Sequence, residues 1–143
     1  MLTREQLKTY YEDGYLLLES FVSSDLLADL NSAADEFIEE SRHHGTTDRR
    51  FDVEPDHSAE NPRLRRLVSP VDVHETFRTF MLEGLAAEIA MAILGMPVRY
   101  HHSKLNFKWS DGGEEVKWHQ DIQFFPHSNY SPLTIGVYLE DVA

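Results

Sequence analysis

The residues best placed to do chemistry are in Trp118-His119-Gln120-Asp121. On a β-strand, side chains two apart point to the same face, so His119 and Asp121 would project together, an imidazole nitrogen beside a carboxylate oxygen. That is part of the donor set that binds ferrous ion through two histidines and one carboxylate, leaving adjacent positions open for a co-substrate and dioxygen. The spacing alone is weak evidence. With 8 histidines and 25 acidic residues, a chance His-x-Asp pair is easily met, and its plain alternative is a structural histidine hydrogen-bonded to a nearby carboxylate. The doublets His43-His44 and His101-His102 are poorer chelates, because adjacent residues on a strand diverge; both read as structural or surface pairs, with His102 able to line a pocket. Arg49-Arg50 and the group Arg63, Arg65, Arg66 are the basic clusters. They suit either an anionic substrate group or ordinary solvation.

Composition narrows the setting for this chemistry. The chain has 143 residues, enough for one domain but not for two full-sized cores, and 41% hydrophobic residues argue against disorder. Thirteen basic and 25 acidic residues give 13 − 25 = −12, a charge that repels phosphate backbones, so no nucleic-acid partner is expected. No apolar run reaches the ~20 residues that span a bilayer, so no membrane partner is expected. Cysteine is absent, which removes disulfides, thiolate zinc sites, iron–sulfur clusters and thiol nucleophiles. The N-terminus lacks a basic segment followed by an apolar one, which makes the cytoplasm the expected location.

The elements that must position the pair follow from pattern. Thr3-Arg4-Glu5-Gln6 has the form of a capping box, and Gly14 is placed to end the helix that starts there. Tyr15 to Glu19 reads as a short buried strand. Ser23 or Ser24 caps a second helix running to about Arg42, with Leu26, Leu27, Leu30, Ala33, Ala34, Phe37 and Ile38 on one stripe. Residues 43–61 read as a long loop, a candidate lid or binding loop. A short helix is expected after Pro62, with Leu64 and Leu67 inward. Val73 to Phe80 and Glu83 to Leu94 predict further helix, closed by Gly95 and Pro97. From Val98 the texture turns aromatic and β-prone. Val98 to Trp109, Val116 to Phe125 and Leu133 to Leu139 predict strands, the middle one carrying the pair. Helices first and strands later give an α+β order.

Several stretches together resemble one family. They are Ser103 to Lys108, the polar turn after it, Trp118-His119-Gln120-Asp121, Phe124-Phe125-Pro126, and Leu133 to Val142; the opening Leu-Thr…Gln…Tyr…Asp-Gly-Tyr also fits. The resemblance is to the phytanoyl-CoA dioxygenase-like family of iron(II)- and 2-oxoglutarate-dependent oxygenases, which includes ectoine hydroxylase. It implies N-terminal helices packed on a double-stranded β-helix (a jelly-roll, cupin-like core), here incomplete. It implies Fe(II) as cofactor, 2-oxoglutarate and dioxygen as co-substrates, and hydroxylation of a small organic molecule. His119 and Asp121 match the metal ligands. Asn106 matches an asparagine that helps hold 2-oxoglutarate; Lys104 or Lys108 would contact it or the substrate; Tyr138 would stand beside it. Trp118, Phe124 and Phe125 would line or support the pocket.

The same resemblance calls for a distal histidine and, after it, an arginine for the far carboxylate of 2-oxoglutarate. Only 143 − 121 = 22 residues follow Asp121; His127 is their sole histidine and none is arginine. The chain is therefore expected to be the N-terminal portion of a single oxygenase domain, 1–97 mainly helical and 98–143 the first core strands. Alone it would bind iron weakly and not turn over. Unpaired sheet edges would favour self-association or a complementing C-terminal fragment. Two other readings stand beside this one: a non-catalytic jelly-roll binding module, and a cupin-like metal protein without 2-oxoglutarate.

Overall fold

A computed structural model describes residues 2–95, 97–111, 113, 115–128 and 131–141. It divides into two compact units: one of Met1–Ala33, Val71–His101 and Ile135–Ala143, the other of Ala34–Pro70 and His102–Thr134. The architecture is mixed, helices with a small antiparallel sheet, as the α+β order predicts.

The first unit is helical. Helix α1 (Arg4–Asp13) starts at the expected capping box: the Thr3 hydroxyl accepts from the Gln6 N–H, and the Gln6 side chain accepts from the Thr3 N–H. Gly14 ends it at φ +80°, a left-handed conformation that side chains resist. The Tyr11 hydroxyl donates to the Ile93 carbonyl, tying α1 to the end of α5 (Leu85–Leu94). Helix α2 (Ser24–Ser41) follows the predicted stripe, burying Leu30 and Ala33 in this unit. Short helices α3 (Pro70–Val73) and α4 (Glu75–Arg78) follow, then a π-helical turn (Thr79–Glu83). Val71, Phe77, Phe80, Ala86 and Ile93 are buried here. The strand expected at Tyr15 to Glu19 does not form: these residues pair with no neighbour in a ladder, and Tyr15 and Leu17 are about 70% exposed.

The second unit carries the sheet, in the order β1-β2-β3: β1 (Phe51–Val53), β2 (Leu64–Val68) and β3 (Lys104–Asn106), all antiparallel. Phe51, Leu64 and Leu67 are almost fully enclosed, with Ala34 and Phe37 of α2 also buried in this unit. Two expectations fail here. Residues 43–61 are not all loop, since β1 lies within them. The segment after Pro62 is a strand, not a helix. The reason is a bulge. Opposite β1, Asp52 pairs with Arg66 and Val53 with Leu64, so Arg65 is an extra residue on β2. That insertion lets Leu64 and Leu67, three apart, both face the interior, and the spacing imitates a helix.

The predicted strand from Val98 to Trp109 shrinks to the three residues of β3. Among the described residues, the stretches from Val116 to Phe125 and from Leu133 to Leu139 form no ladder; the first holds a 3₁₀ turn at Asp121–Gln123 instead. Extended chain becomes sheet only where a neighbour satisfies its N–H and C=O groups, and here Val116 and Trp118 stand in the open. No helix among the described residues is long and apolar enough to cross a membrane.

Candidate functional site

The sheet first fixes a platform. On β2, Arg65 makes a forked pair with Asp52 of β1, with nitrogen–oxygen distances of 2.7–3.1 Å. Arg66 lies opposite Asn106 of β3, and its Nε donates to the Asn106 Oδ1 at 3.2 Å. Arg63, just before β2, is buried. Its guanidinium donates from Nη1 to Asp111 Oδ1 at 2.7 Å and from Nη2 to the Asp111 carbonyl at 2.9 Å, and it lies over the Trp109 ring. That hydrogen-bonded pair raises the Arg63 pKa and lowers that of the Asp111 carboxyl. The Trp109 indole N–H donates to the Leu64 carbonyl at 2.9 Å. The chain leaving β3 is thus pinned to β2 before it runs on to His119.

His119 and Asp121 do meet, though not on a strand. His119 precedes the 3₁₀ turn that Asp121 begins, and its Nε2 lies 3.5 Å from Asp121 Oδ1. The other ring nitrogen, Nδ1, is 2.6 Å from the Lys117 carbonyl. A carbonyl can only accept, so Nδ1 carries a proton, and in the neutral tautomer so fixed Nε2 presents the lone pair. A backbone oxygen of this kind typically orients a metal-binding histidine. Thr134 donates its hydroxyl to the other carboxylate oxygen of Asp121 at 3.3 Å. Both side chains are part-exposed, 39% and 51%.

The pair suits a transition metal. Two donors at bond lengths of about 2.1 Å lie roughly 3.0 Å apart when the angle is octahedral and 3.4 Å when it is tetrahedral; the 3.5 Å here needs only a small closure. One nitrogen and one carboxylate oxygen match a ferrous ion's preferences. The set stops at two. Among the described residues no group of three or more His, Asp or Glu side chains could hold an ion, and His127 joins no such group.

The other predicted residues separate. Phe124 packs edge-on to His119 with ring centres 5.5 Å apart, and Phe125 lies next to Phe124. His102 packs on Phe125 at 4.3 Å, and the Lys104 ammonium sits over the same ring at 5.4 Å. So Lys104 and His102 join the aromatic cluster beside the pair. Asn106 and Lys108 instead line a small cleft with Arg65, Arg66, Phe107, Glu115 and Val116. Trp118 is fully exposed and lines nothing, contrary to expectation, because its flanking chain is unpaired. Tyr138 is 73% exposed in the first unit. Sequence reasoning missed Thr134 as the partner of Asp121 and Arg66 as the partner of Asn106. The first left no signal in spacing; the second was hidden by the reading of β2 as a helix.

Comparison with known proteins adds identity to this geometry. The family model described as phytanoyl-CoA dioxygenase (PhyH) matches residues 10–143. The chain is 27% identical over 139 residues to a "Probable alpha-ketoglutarate-dependent hypophosphite dioxygenase" of Stutzerimonas stutzeri, an alignment covering 97% of this chain and 48% of that protein. It is 25% identical over 125 residues to an ectoine dioxygenase of Sphingopyxis alaskensis, covering 85% of this chain and 38% of the relative. An ectoine dioxygenase of Stutzerimonas stutzeri is 26% identical over 122 residues, with coverages of 85% and 38%. The chain therefore spans less than half the length of these curated relatives. No solved structure gives a significant match.

Proposed function

The chain belongs to the phytanoyl-CoA dioxygenase family, and from that premise we propose that it supplies the metal-binding half-site of an iron(II)- and 2-oxoglutarate-dependent dioxygenase acting on a small molecule. The observation that carries the proposal is the pair itself: His119 held by Nδ1 on the Lys117 carbonyl, with Nε2 3.5 Å from the Asp121 carboxylate. On this reading the sheet β1-β2-β3 is the first face of a double-stranded β-helix. The residues after Asp121 do not include the family-implied arginine, and the chain spans less than half the length of the curated relatives it matches.

Bound iron and 2-oxoglutarate would supply the activation of dioxygen that oxidises the substrate. The protein's own residues do the rest. His119 Nε2 and Asp121 Oδ1 hold two adjacent metal positions, and the Lys117 carbonyl and Thr134 hydroxyl keep their rotamers. Phe124 packs edge-on against His119, with Phe125 beside it, and the two rings flank one side of the pair. We assign Lys104, which lies over the Phe125 ring, to an anionic group beside the pair, and Asn106 and Lys108 to the cleft they line. Tyr138 is assigned to 2-oxoglutarate by the family resemblance alone. The test is succinate formation by the whole protein supplied with iron(II) and 2-oxoglutarate. Turnover should vanish in His119→Ala and Asp121→Asn, and its survival in His119→Ala would remove the assignment.

A further inference from the structure

From the cleft beside β2 and β3 we infer a binding site for a small oxyanion, with Arg66 as its principal cation, a deepening that rests on the oxygenase reading above. The chain carries a formal charge of −12, yet this cleft is lined by Arg65, Arg66, Asn106 and Lys108 against one acid, Glu115. The two arginines are not equivalent. Arg65 spends its fork on Asp52 and is neutralised there. Arg66 is only half-buried and donates Nε to Asn106 Oδ1, and among the described residues no carboxylate pairs with it.

That hydrogen bond sets the character of the site. By occupying the amide oxygen of Asn106, it leaves the Asn106 NH₂ as the polar end of the side chain. Arg66 then presents its two Nη groups and Asn106 its Nδ2. All are donors, and the formal charge is positive. A carboxylate or a phosphorus oxyanion fits such a set, and a guanidinium fork binds either one through two parallel bonds. A neutral or cationic molecule finds little to match. The ligand's chemistry is thus that of a planar or tetrahedral oxyanion, which either the co-substrate's carboxylate or the substrate itself can supply.

Equilibrium titration of the whole protein, without turnover, separates these sources. The probes are inorganic phosphate and 2-oxoglutarate, added to wild type, Arg66→Gln, Arg66→Lys and the exposed control Arg49→Ala. Arg66→Gln places an amide nitrogen at the level of the arginine Nε, so it can keep a donor to Asn106 while removing the Nη fork and the charge, and circular dichroism checks its fold. Loss of one charge-assisted fork should weaken binding about 10-fold; Arg66→Lys should recover part of it and Arg49→Ala none of the loss should show. If 2-oxoglutarate alone weakens, the site holds the co-substrate. If phosphate alone weakens, it holds a substrate oxyanion. Unchanged affinity for both overturns the inference. Because the readout is binding, this failure is distinguishable from failure of the iron reading, which shows in succinate formation.

Discussion

Replacing Trp109 with Phe tests whether the sheet positions the pair. The substitution keeps an aromatic ring under Arg63 but removes the indole N–H, which donates to the Leu64 carbonyl at 2.9 Å. Leu64 is completely enclosed, so water has poor access to replace the donor. Deleting one partner of such a bond costs about 1–3 kcal/mol. With a urea dependence of roughly 1–3 kcal/mol per molar, the unfolding midpoint should fall by about 1 M. Circular dichroism should follow the transition, since fluorescence changes meaning: Trp109 and Trp118 are the two tryptophans, and Trp118 is fully exposed. The variant's folded emission should therefore be that of solvated indole. Trp118→Phe should leave the midpoint unchanged. A Trp109→Phe midpoint equal to wild type would refute the idea that this bond pins the segment leading to His119.

Further outcomes follow from the same packing and hydrogen bonds. Leu67→Ala, at a fully buried position in the central strand, should destabilise by about 2–5 kcal/mol in urea unfolding. Thr134→Val keeps shape but frees Asp121 Oδ2; metal titration of the whole protein should show affinity lowered about 10-fold, near the small end for an outer partner because the bond is long and exposed. Asp48 accepts from the N–H groups of Phe51 and Arg50 and pairs with His44, and the bonds from Phe51 and Arg50, in that order, chiefly lower its pKa. A depressed folded pKa means that its stabilisation is complete above the ordinary value of about 3.9 and is lost as pH falls from there through the lowered value. Acid titration of Asp48→Asn, which keeps an acceptor but no charge, should show a shallower loss of stability over that range.

Local chemistry with its own signature was the most legible part of the chain. The capping box at Thr3, the left-handed Gly14 and the stripe of α2 depend on neighbours within a few residues, and all stand where the sequence predicts them. The meeting of His119 and Asp121 was legible for the same reason, since only Gln120 separates them. What depends on partners distant in sequence was not. The strands from Val116 and Leu133 needed a neighbouring chain to become sheet. Arg66 and Asn106 are 40 residues apart, and only the register of β2 with β3 brings them together. Thr134 meets Asp121 from 13 positions away in sequence, a pairing no periodicity announces.

The surplus residue in β2 makes one position of that strand dispensable to the interior. Removing the codon for Arg65 would restore simple alternation opposite β1, leaving Leu64 and Leu67 two apart and both still facing inward, at the loss of the forked pair with Asp52. Homologous segments that lack this extra position can seat the same interior with apolar residues two apart instead of three. A single-residue gap at Arg65 should therefore spare the interior, whereas a gap at Leu64 or Leu67 removes a fully enclosed side chain.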